Sequence, residues 1–126
     1  MRIAVIGAGY WGKNLVRNYG ELGVLYGVCD AEADVATLYS DSSPGLRVTT
    51  EPRVFLDDPD VDAIAIATPA ATHGAFVDDA LSAGKHVFVE KPLCLDLDEA
   101  RRLKNQSEEN GLTLMVGHML HYHPAF

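Results

Sequence analysis

The stretch Ile3-Ala4-Val5-Ile6-Gly7-Ala8-Gly9-Tyr10-Trp11-Gly12 decides the fold of this 126-residue chain. Ile3 to Ile6 is a short apolar run rich in β-branched residues, which predicts a parallel strand buried on both faces. The run leads directly into the pattern G-x-G-x-x-G and then into a segment with helical spacing of apolar residues. A strand, a glycine loop and a helix in that order are typical of a βαβ unit that binds a dinucleotide.

Each glycine of the loop has an expected role in such a unit. Gly7 permits the tight turn, Gly9 lets a pyrophosphate approach the backbone, and Gly12 lets the helix pack close to the strand. The N-terminus of that helix offers free N–H groups and partial positive charge to the phosphates. Tyr10 and Trp11 lie in the loop, where we expect them to contact the cofactor.

The rest of the chain predicts a doubly wound parallel sheet, an α/β Rossmann fold of about six strands with helices on both faces. An apolar stripe on the first helix, at Trp11, Leu15, Tyr19 and Leu22, is expected to face the core. We assign residues 1–117 to this domain, whereas residues 118–126 belong to no predicted element. The predicted strands are 3–6, 24–29, 46–49, 63–67, 86–89 and 113–116. The predicted helices are 11–22, 31–39, 54–56 (one turn), 73–83 and 97–109. The last helix has a capping box of Asp96 and Glu99.

Asp30 stands 18 residues after Gly12, at the end of the second predicted strand. A carboxylate there accepts hydrogen bonds from the adenosine ribose hydroxyls and repels a 2′-phosphate. The following Ala31-Glu32-Ala33 offers no cation to a 2′-phosphate, so NAD is favoured over NADP. Two alternatives stay open, namely that Asp30 only caps the next helix and that the fold binds another adenine cofactor, such as FAD or S-adenosylmethionine.

Composition excludes several classes of partner. The formal net charge is −8, and no run of Lys or Arg occurs, which argues against nucleic acid and against an anionic membrane surface. No apolar stretch approaches 18 residues, and the first residues do not resemble a signal peptide. Two cysteines are too few for a disulfide framework. These observations predict a cytoplasmic protein that binds a small molecule.

Four segments together resemble the Gfo/Idh/MocA oxidoreductases, the family of glucose–fructose oxidoreductase and inositol dehydrogenase. They are Ala4-Val5-Ile6-Gly7-Ala8-Gly9-Tyr10-Trp11-Gly12-Lys13-Asn14, Ala67-Thr68-Pro69-Ala70-Ala71-Thr72-His73, Glu90-Lys91-Pro92-Leu93 and the segment 117–126. They occur in the family's order and spacing. The resemblance implies a nicotinamide-dependent transfer of hydride to or from a hydroxyl-bearing carbon of a sugar, nucleotide sugar or cyclitol.

The resemblance also implies a second, substrate-binding domain that this chain lacks. Residues 118–126 would begin the connection to it, and the family's acidic residue and histidine on that domain would lie beyond Phe126. We therefore expect the chain to bind NAD(H) but to turn over substrate poorly or not at all, because half of the pocket is absent. Without that domain, apolar surface around the sixth strand would be exposed, and we expect self-association into a homo-oligomer.

Lys91 is the catalytic residue that the resemblance implies, because family members use the lysine of E-K-P to contact the reacting hydroxyl. Partial burial would help by favouring the neutral amine, which accepts a proton. Pro92 holds the backbone of Lys91 extended, and Glu90 is expected at the nicotinamide end of the cofactor. The alternative is a surface lysine that follows a strand.

Thr68, Pro69 and His73 are expected to line the cofactor groove. The alternative is that Thr72 caps the helix and that His73 is solvated.

Two further sets of side chains could carry chemistry. The spacing H-x-x-H-x-H of His118, His121 and His123 suits a transition metal, but the matching family segment has no metal role, so no metal is predicted. Cys94 is expected to be an inert buried thiol, with a reactive thiolate near the nicotinamide as the alternative. Cys29, inside a strand, is expected to serve packing.

The sequence therefore leaves three functions open. The first is the cofactor-binding half of a sugar-type dehydrogenase, and the second is a free-standing NAD-binding module. The third is a Rossmann remnant that binds no nucleotide.

Overall fold

The computed structural model describes residues 1–125, and Phe126, the last residue of the predicted connection, lies outside them. One parallel sheet contains β1 (Ile3–Ile6), β2 (Leu25–Cys29), β3 (Arg47–Thr49), β4 (Ala63–Ile66), β5 (His86–Glu90) and β6 (Leu114–Gly117). The helices are α1 (Gly12–Glu21), α2 (Ala33–Ser42), α3 (Arg53–Leu56), α4 (Ala70–Ser82), α5 (Leu97–Glu109) and a 3₁₀ helix at Met119–Tyr122. The predicted doubly wound α/β fold is confirmed.

The sheet has the strand order β3-β2-β1-β4-β5-β6. The chain moves from β1 outward to β3 and then returns to the other side of β1, so the order reverses between β1 and β4. In open parallel sheets of this kind the carboxyl ends of the strands open into a crevice at that switch point, where ligands bind. The glycine loop that follows β1 and the Thr68-Pro69 turn that follows β4 lie at this crevice.

Hydrophobic side chains on both faces hold the helices to the sheet. On one face, Val5 of β1 packs in a cluster with Val16 of α1. On the other face, Ile66 of β4 packs with Val77 of α4 and Leu103 of α5. Burial on both faces explains why the central strands are continuous apolar runs rather than alternating ones.

Several predicted boundaries were wrong by a few residues. The structure starts α4 at Ala70 rather than at residue 73, because Pro69 is compatible with the position before a first turn and two alanines extend the helix readily. It extends α2 to Ser42, whose hydroxyl donates to the Leu38 carbonyl oxygen at 2.6 Å. The 3₁₀ helix lies where no element was predicted.

The predicted apolar stripe of α1 is wrong at both ends. Trp11 and Leu22 are exposed, because they occupy the two capping positions rather than turns of the helix. Val16 is the side chain of α1 that is buried in the core, and Leu15 and Tyr19 pack against the same cluster.

The capping box of α5 is formed in part. The Asp96 carboxylate accepts a hydrogen bond from the backbone N–H of Glu99 at 3.0 Å, as predicted. The Glu99 carboxylate packs against Gly74 of α4, in space that a Cβ at Gly74 would need. It therefore contributes to the contact between two helices.

The exposed apolar surface predicted around the sixth strand is confirmed at Met115, Met119, Leu120 and Tyr122. Self-association through it stays a prediction, which sedimentation at increasing concentration tests. Among residues 1–125, no helix is both long and apolar enough to cross a membrane.

Candidate cofactor-binding groove and active site

A continuous groove runs along the carboxyl edge of the sheet. It consists of two adjoining cavities, one of about 630 Å³ beside Asp30 and one of about 500 Å³ beside Lys91. Trp11, Ala67 and Thr68 line both cavities. Because they share these three residues, the two cavities adjoin, and together they extend from the end of β2 to the end of β5.

The three motif glycines differ in what the protein itself requires of them. Gly7 has a φ of +90°, and a Cβ there would lie 2.7 Å from the backbone of Ala67. A Cβ at Gly12 would overlap the carbonyl oxygen of Gly7. At Gly9 a Cβ would meet no protein atom within 4 Å, and the φ of Gly9 is not positive. The fold therefore requires Gly7 and Gly12, whereas Gly9 leaves open space in the groove.

Asp30 organises the other end of the glycine loop. Its Oδ2 accepts from the backbone N–H of Ala8 at 2.8 Å, and its Oδ1 accepts from that of Glu32 at 2.9 Å. The N-cap of α2 is Glu32, so the alternative in which Asp30 only caps that helix is wrong. Each carboxylate oxygen has a second lone pair for a ligand hydroxyl.

A tyrosine supports the same loop from α2. The Tyr39 hydroxyl donates to the carbonyl oxygen of Ala8 at 3.2 Å. Burial raises the pKa of Tyr39 and the negative charge of Asp30 raises it further. Tyr39 therefore stays protonated, and its hydroxyl remains a hydrogen-bond donor to the glycine loop.

Tyr10 and Trp11 lie at the surface of the groove. Trp11 lines both cavities and Tyr10 lines the one beside Asp30. Tyr10 is 87% exposed, and the Lys13 ammonium lies 5.2 Å from the centre of its ring. Both aromatic rings are available to a ligand.

Glu90 is the last residue of β5 and is half-buried beneath Gly117 of β6. A Cβ at Gly117 would lie 3.1 Å from Glu90 Oε2, so a glycine there makes room for the carboxylate. Burial raises the pKa of the Tyr19 hydroxyl, and the nearby charge of Glu90 raises it further. The carboxylate of Glu90 lines the cavity beside Lys91.

Lys91 follows Glu90 and lines the same cavity. Its side chain is exposed, so the partial burial that would favour the neutral amine is absent. Lys91 lies in the loop that follows β5, beyond the edge of the sheet, and its side chain is therefore in contact with solvent. The Lys91–Pro92 peptide bond is cis.

Thr68 lines both cavities, and Pro69 lines the cavity beside Asp30. The Thr72 hydroxyl oxygen lies 2.7 Å from both the Thr68 hydroxyl and the Pro69 carbonyl oxygen. No side chain caps α4, so the alternative in which Thr72 is the cap is wrong. The hydroxyl of Thr72 instead steadies the turn that lines the groove.

His73 is buried rather than solvated, with 2% of its surface exposed. Its Nδ1 lies 2.6 Å from the carbonyl oxygen of Pro92, and its Nε2 lies 2.7 Å from that of Thr68. The ring borders the cavity beside Lys91, but both of its nitrogens are committed to the backbone. It thus connects the two loops that carry Thr68 and Lys91.

Sequence reasoning missed part of the wall beside Lys91. Gly117, Met119 and Leu120 line this cavity, the last two from the 3₁₀ helix. The signal that could have found them was the apolar pair Met119-Leu120, which lies close after the sixth predicted strand. His118 is exposed and packs edge-on against His121, with ring centroids 5.5 Å apart.

No group of three or more His, Cys, Asp or Glu side chains in the described part of the chain is arranged to hold a metal ion. The two cysteines differ in environment. Cys29 is buried, and that burial raises the pKa of its thiol to about 12. Cys94 is half-buried rather than buried as predicted, because it lies in the loop after β5, where its thiol donates to the Asp96 carbonyl oxygen at 3.1 Å.

Comparison with known proteins identifies the family. The Gfo/Idh/MocA family model, described as an oxidoreductase family with an NAD-binding Rossmann fold, matches residues 1–118. The chain belongs to this family. The predicted resemblance is confirmed, and with it the assignment to oxidoreductases with a nucleotide-binding Rossmann domain.

Among the relatives is the UDP-N-acetylglucosamine 3-dehydrogenase of Acidithiobacillus ferrooxidans, which is 38% identical over 99% of this chain and 39% of its own length. Its crystal structure superimposes with a TM-score of 0.90, at 36% identity over the same shares of the two chains. The Gfo/Idh/MocA domain described here therefore spans about two-fifths of the length of this relative.

Two other solved structures contain different nicotinamide cofactors. A 3-ketoreductase from Actinomadura kijaniata, in complex with TDP-benzene and NADP, has a TM-score of 0.89 and 30% identity over 99% of this chain and 40% of its own. GenD2 from gentamicin A biosynthesis, in complex with NAD, has a TM-score of 0.86 and 33% identity over 92% of this chain and 34% of its own. Proteins similar to this one thus bind either cofactor.

Proposed function

We propose that this chain binds NAD(H) for an oxidoreductase that transfers hydride between nicotinamide and a hydroxyl-bearing carbon of a sugar, nucleotide sugar or cyclitol. The open space at Gly9 carries the proposal. A glycine whose φ is not positive and whose Cβ would touch nothing is not required by the fold. A pyrophosphate that approaches the backbone does require it.

The groove gives the ligand a direction. Asp30 would hold the adenosine ribose through the unused lone pairs of its carboxylate, and the glycine loop together with the N-terminus of α1 would hold the phosphates. The cavity beside Lys91 would then receive the nicotinamide ring. Bound nicotinamide supplies the hydride donor or acceptor, which no side chain of the protein provides.

NAD is the cofactor that the charges favour. Of the residues that line the cavity beside Asp30, two are acidic and none is basic. Asp30 and Glu32 would both repel a 2′-phosphate, which carries further negative charge.

Lys91 would carry the acid–base chemistry of the reaction. It lies on the edge of the cavity that would receive the nicotinamide, and its ammonium group can donate to the reacting hydroxyl or, when neutral, accept its proton. Glu90 and the apolar Met119 and Leu120 would form the rest of that wall. The names of similar proteins, a UDP-N-acetylglucosamine 3-dehydrogenase and an inositol 2-dehydrogenase, support a sugar, nucleotide sugar or cyclitol as the substrate class.

Titration of the chain with NADH and NADPH by calorimetry tests the cofactor. We expect saturable binding that is tighter for NADH. Gly9→Ala should abolish it while the free energy of unfolding stays unchanged, since no protein atom opposes the added Cβ. Absence of saturable binding at millimolar NADH would overturn the proposal.

Turnover separates the dehydrogenase from a free-standing NAD-binding module. The chain is incubated with NAD and a panel of sugars, nucleotide sugars and cyclitols, and NADH absorbance is followed. NADH formation that disappears in Lys91→Met supports the dehydrogenase. NADH formation that persists unchanged in Lys91→Met contradicts a catalytic role for Lys91.

A further inference from the structure

The ring of His73 faces two backbone carbonyl oxygens at once. Nδ1 lies 2.6 Å from the oxygen of Pro92 and Nε2 lies 2.7 Å from the oxygen of Thr68. Both separations are at the short end of the range for N–H···O hydrogen bonds. The residue is 2% exposed, so neither contact is shared with bulk water.

The number of N–H donors that the site needs decides which protonation form of the His73 ring suits it. A neutral imidazole has one N–H and one nitrogen with a lone pair, whereas a carbonyl oxygen only accepts. A neutral ring would therefore point one lone pair at a carbonyl oxygen within 3 Å in a buried place, which is repulsive. Both contacts are hydrogen bonds when both nitrogens carry a proton, as in the imidazolium cation.

His86 in the same protein has the opposite arrangement. Its Nδ1 accepts a hydrogen bond from the backbone N–H of Thr113 at 3.0 Å, which requires an unprotonated nitrogen. His86 is the first residue of β5 and lies at the edge of the sheet away from the groove. It is a natural internal reference for His73.

The two carbonyl groups that His73 joins belong to the two loops around the cavity beside Lys91. Thr68 follows β4, and Pro92 comes directly after Lys91. The charged residues that line the same cavity as His73 are Glu90 and Lys91, one acidic and one basic, so the form of the ring follows from its two carbonyl contacts alone.

We propose that His73 is a buried imidazolium whose two N–H groups tie the Thr68-Pro69 turn to the Glu90-Lys91-Pro92 loop. It is a positioning residue, since it sets the distance between the two walls without touching the ligand through its nitrogens. Its effect on the nicotinamide end rests on the proposed function, whereas its protonation and its two hydrogen bonds do not.

Nitrogen NMR of the chain labelled with ¹⁵N-histidine, without cofactor and at pH 7.5, tests the cation directly. We expect both ring nitrogens of His73 to show one-bond couplings to slowly exchanging protons, and Nδ1 of His86 to show none. His73→Gln and His86→Gln assign the signals. An unprotonated ring nitrogen in His73 would overturn the proposal, and this result does not depend on whether the chain binds NAD(H).

Calorimetry with NADH and with ADP then tests the positioning role. His73→Leu removes both hydrogen bonds, and we expect it to weaken NADH binding by about tenfold while ADP binding stays unchanged, because Asp30 and the glycine loop hold the ADP half. His73→Gln, which keeps one donor, should lose less, and His86→Gln should lose nothing. Equal loss of NADH and ADP affinity, or no loss of either, contradicts positioning. If the wild-type chain binds neither NADH nor ADP, the proposed function is wrong. The NMR result still tests whether His73 is an imidazolium with two hydrogen bonds.

Discussion

The carboxylate of Asp30 accepts a hydrogen bond from the backbone N–H of Ala8, with an Oδ2···N distance of 2.8 Å. This contact joins the end of β2 to the glycine loop that follows β1, across 22 residues of sequence. The residue expected to recognise the adenosine ribose therefore also shapes the loop expected to recognise the phosphates. A change at Asp30 should affect both halves of the ADP site.

Asp30→Asn tests this coupling. An amide that keeps one oxygen can accept from only one of the two backbone N–H groups, and it has no negative charge. Since a hydrogen bond to a charged group contributes about 1.5–3 kcal/mol, we expect NADH affinity to fall roughly 10- to 150-fold in calorimetry, with a smaller loss for NADPH. Asp34→Asn, an equal change of charge on the exposed first turn of α2, is the control. An equal loss in that control would contradict a specific role for Asp30.

Gly12 and Gly20 form a matched pair for the stability of α1. A Cβ at Gly12 would overlap the carbonyl oxygen of Gly7, whereas a Cβ at Gly20 would make an ordinary 3.9 Å contact with Leu25. We expect Gly12→Ala to prevent folding or to destabilise strongly. Gly20→Ala should stabilise by about 0.5–1 kcal/mol, because alanine favours the helix. Urea denaturation measures both, and a tolerated Gly12→Ala would contradict the close packing.

Lys85 should be important for stability although it is remote from the groove. It is buried, and its ammonium donates to the carbonyl oxygens of Asp58 at 2.6 Å and Val61 at 2.7 Å. Lys85→Met leaves both oxygens without this donor, and we expect a loss of about 2–4 kcal/mol in the free energy of unfolding. Lys104→Met, which removes an exposed ion pair with Glu108, should change it by less than about 0.5 kcal/mol. Similar losses in the two variants would contradict the assignment.

Asp58 makes part of the stability depend on pH. The hydrogen bond from the Tyr26 hydroxyl lowers the pKa of the Asp58 carboxyl, and the backbone N–H of Asp60 lowers it further. Because the pKa is lower in the folded than in the unfolded state, the stabilisation is present above the ordinary aspartate pKa of about 4 and is lost as the pH falls through the folded value.

Tyr26→Phe should therefore destabilise at pH 7 and do so less at pH 3, as measured by urea denaturation at both values. Tyr39→Phe is the control, because the Tyr39 hydroxyl donates to a backbone carbonyl, which does not titrate in this range. The loss in free energy of unfolding that Tyr39→Phe causes should be the same at pH 7 and at pH 3. If Tyr26→Phe lowers the free energy of unfolding equally at pH 7 and pH 3, the hydrogen bond to the Asp58 carboxylate does not account for the effect.

The two thiols should react at very different rates. Burial raises the pKa of Cys29 to about 12, so at pH 8 it remains an inaccessible thiol, and thiolates are the reactive form. Cys94 is half-buried. We expect one fast-reacting thiol with a disulfide reagent in the native chain and two in urea. Cys94→Ser should remove the fast reaction, and fast labelling that survives in this variant would show that Cys29 is exposed.

Local sequence was enough to predict the sheet and the glycine loop. The central strands are apolar runs of four or five residues that end at glycine or at Thr68-Pro69, and short runs bounded by such turn residues are typical of strands buried on both faces. Gly7, Gly9 and Gly12 occupy fixed places in a turn that spans only six residues. The interval from Gly12 to Asp30 is one helix and one strand, so the carboxylate could be placed beside the loop from spacing alone.

Features that depend on contacts between distant segments were predicted less well. His73 was assigned to the groove from its motif, but its burial depends on Pro92, 19 residues away. The 3₁₀ helix that contributes Met119 and Leu120 is a single turn, too short for periodicity to reveal. The exposure of Lys91 likewise depends on what distant segments leave uncovered, and the structure shows an exposed side chain.

The sequence by itself determined the strand–loop–helix unit, the positions of the motif glycines and the acidic residue at the end of β2, because these depend on backbone geometry and on short, regular spacing. Only the tertiary structure decided that Gly9 faces open space, that Asp30 holds the loop of Ala8, and that His73 ties two loops together. These relationships join segments that are adjacent because of the strand order, and strand order is set by packing of the whole sheet rather than by any local pattern.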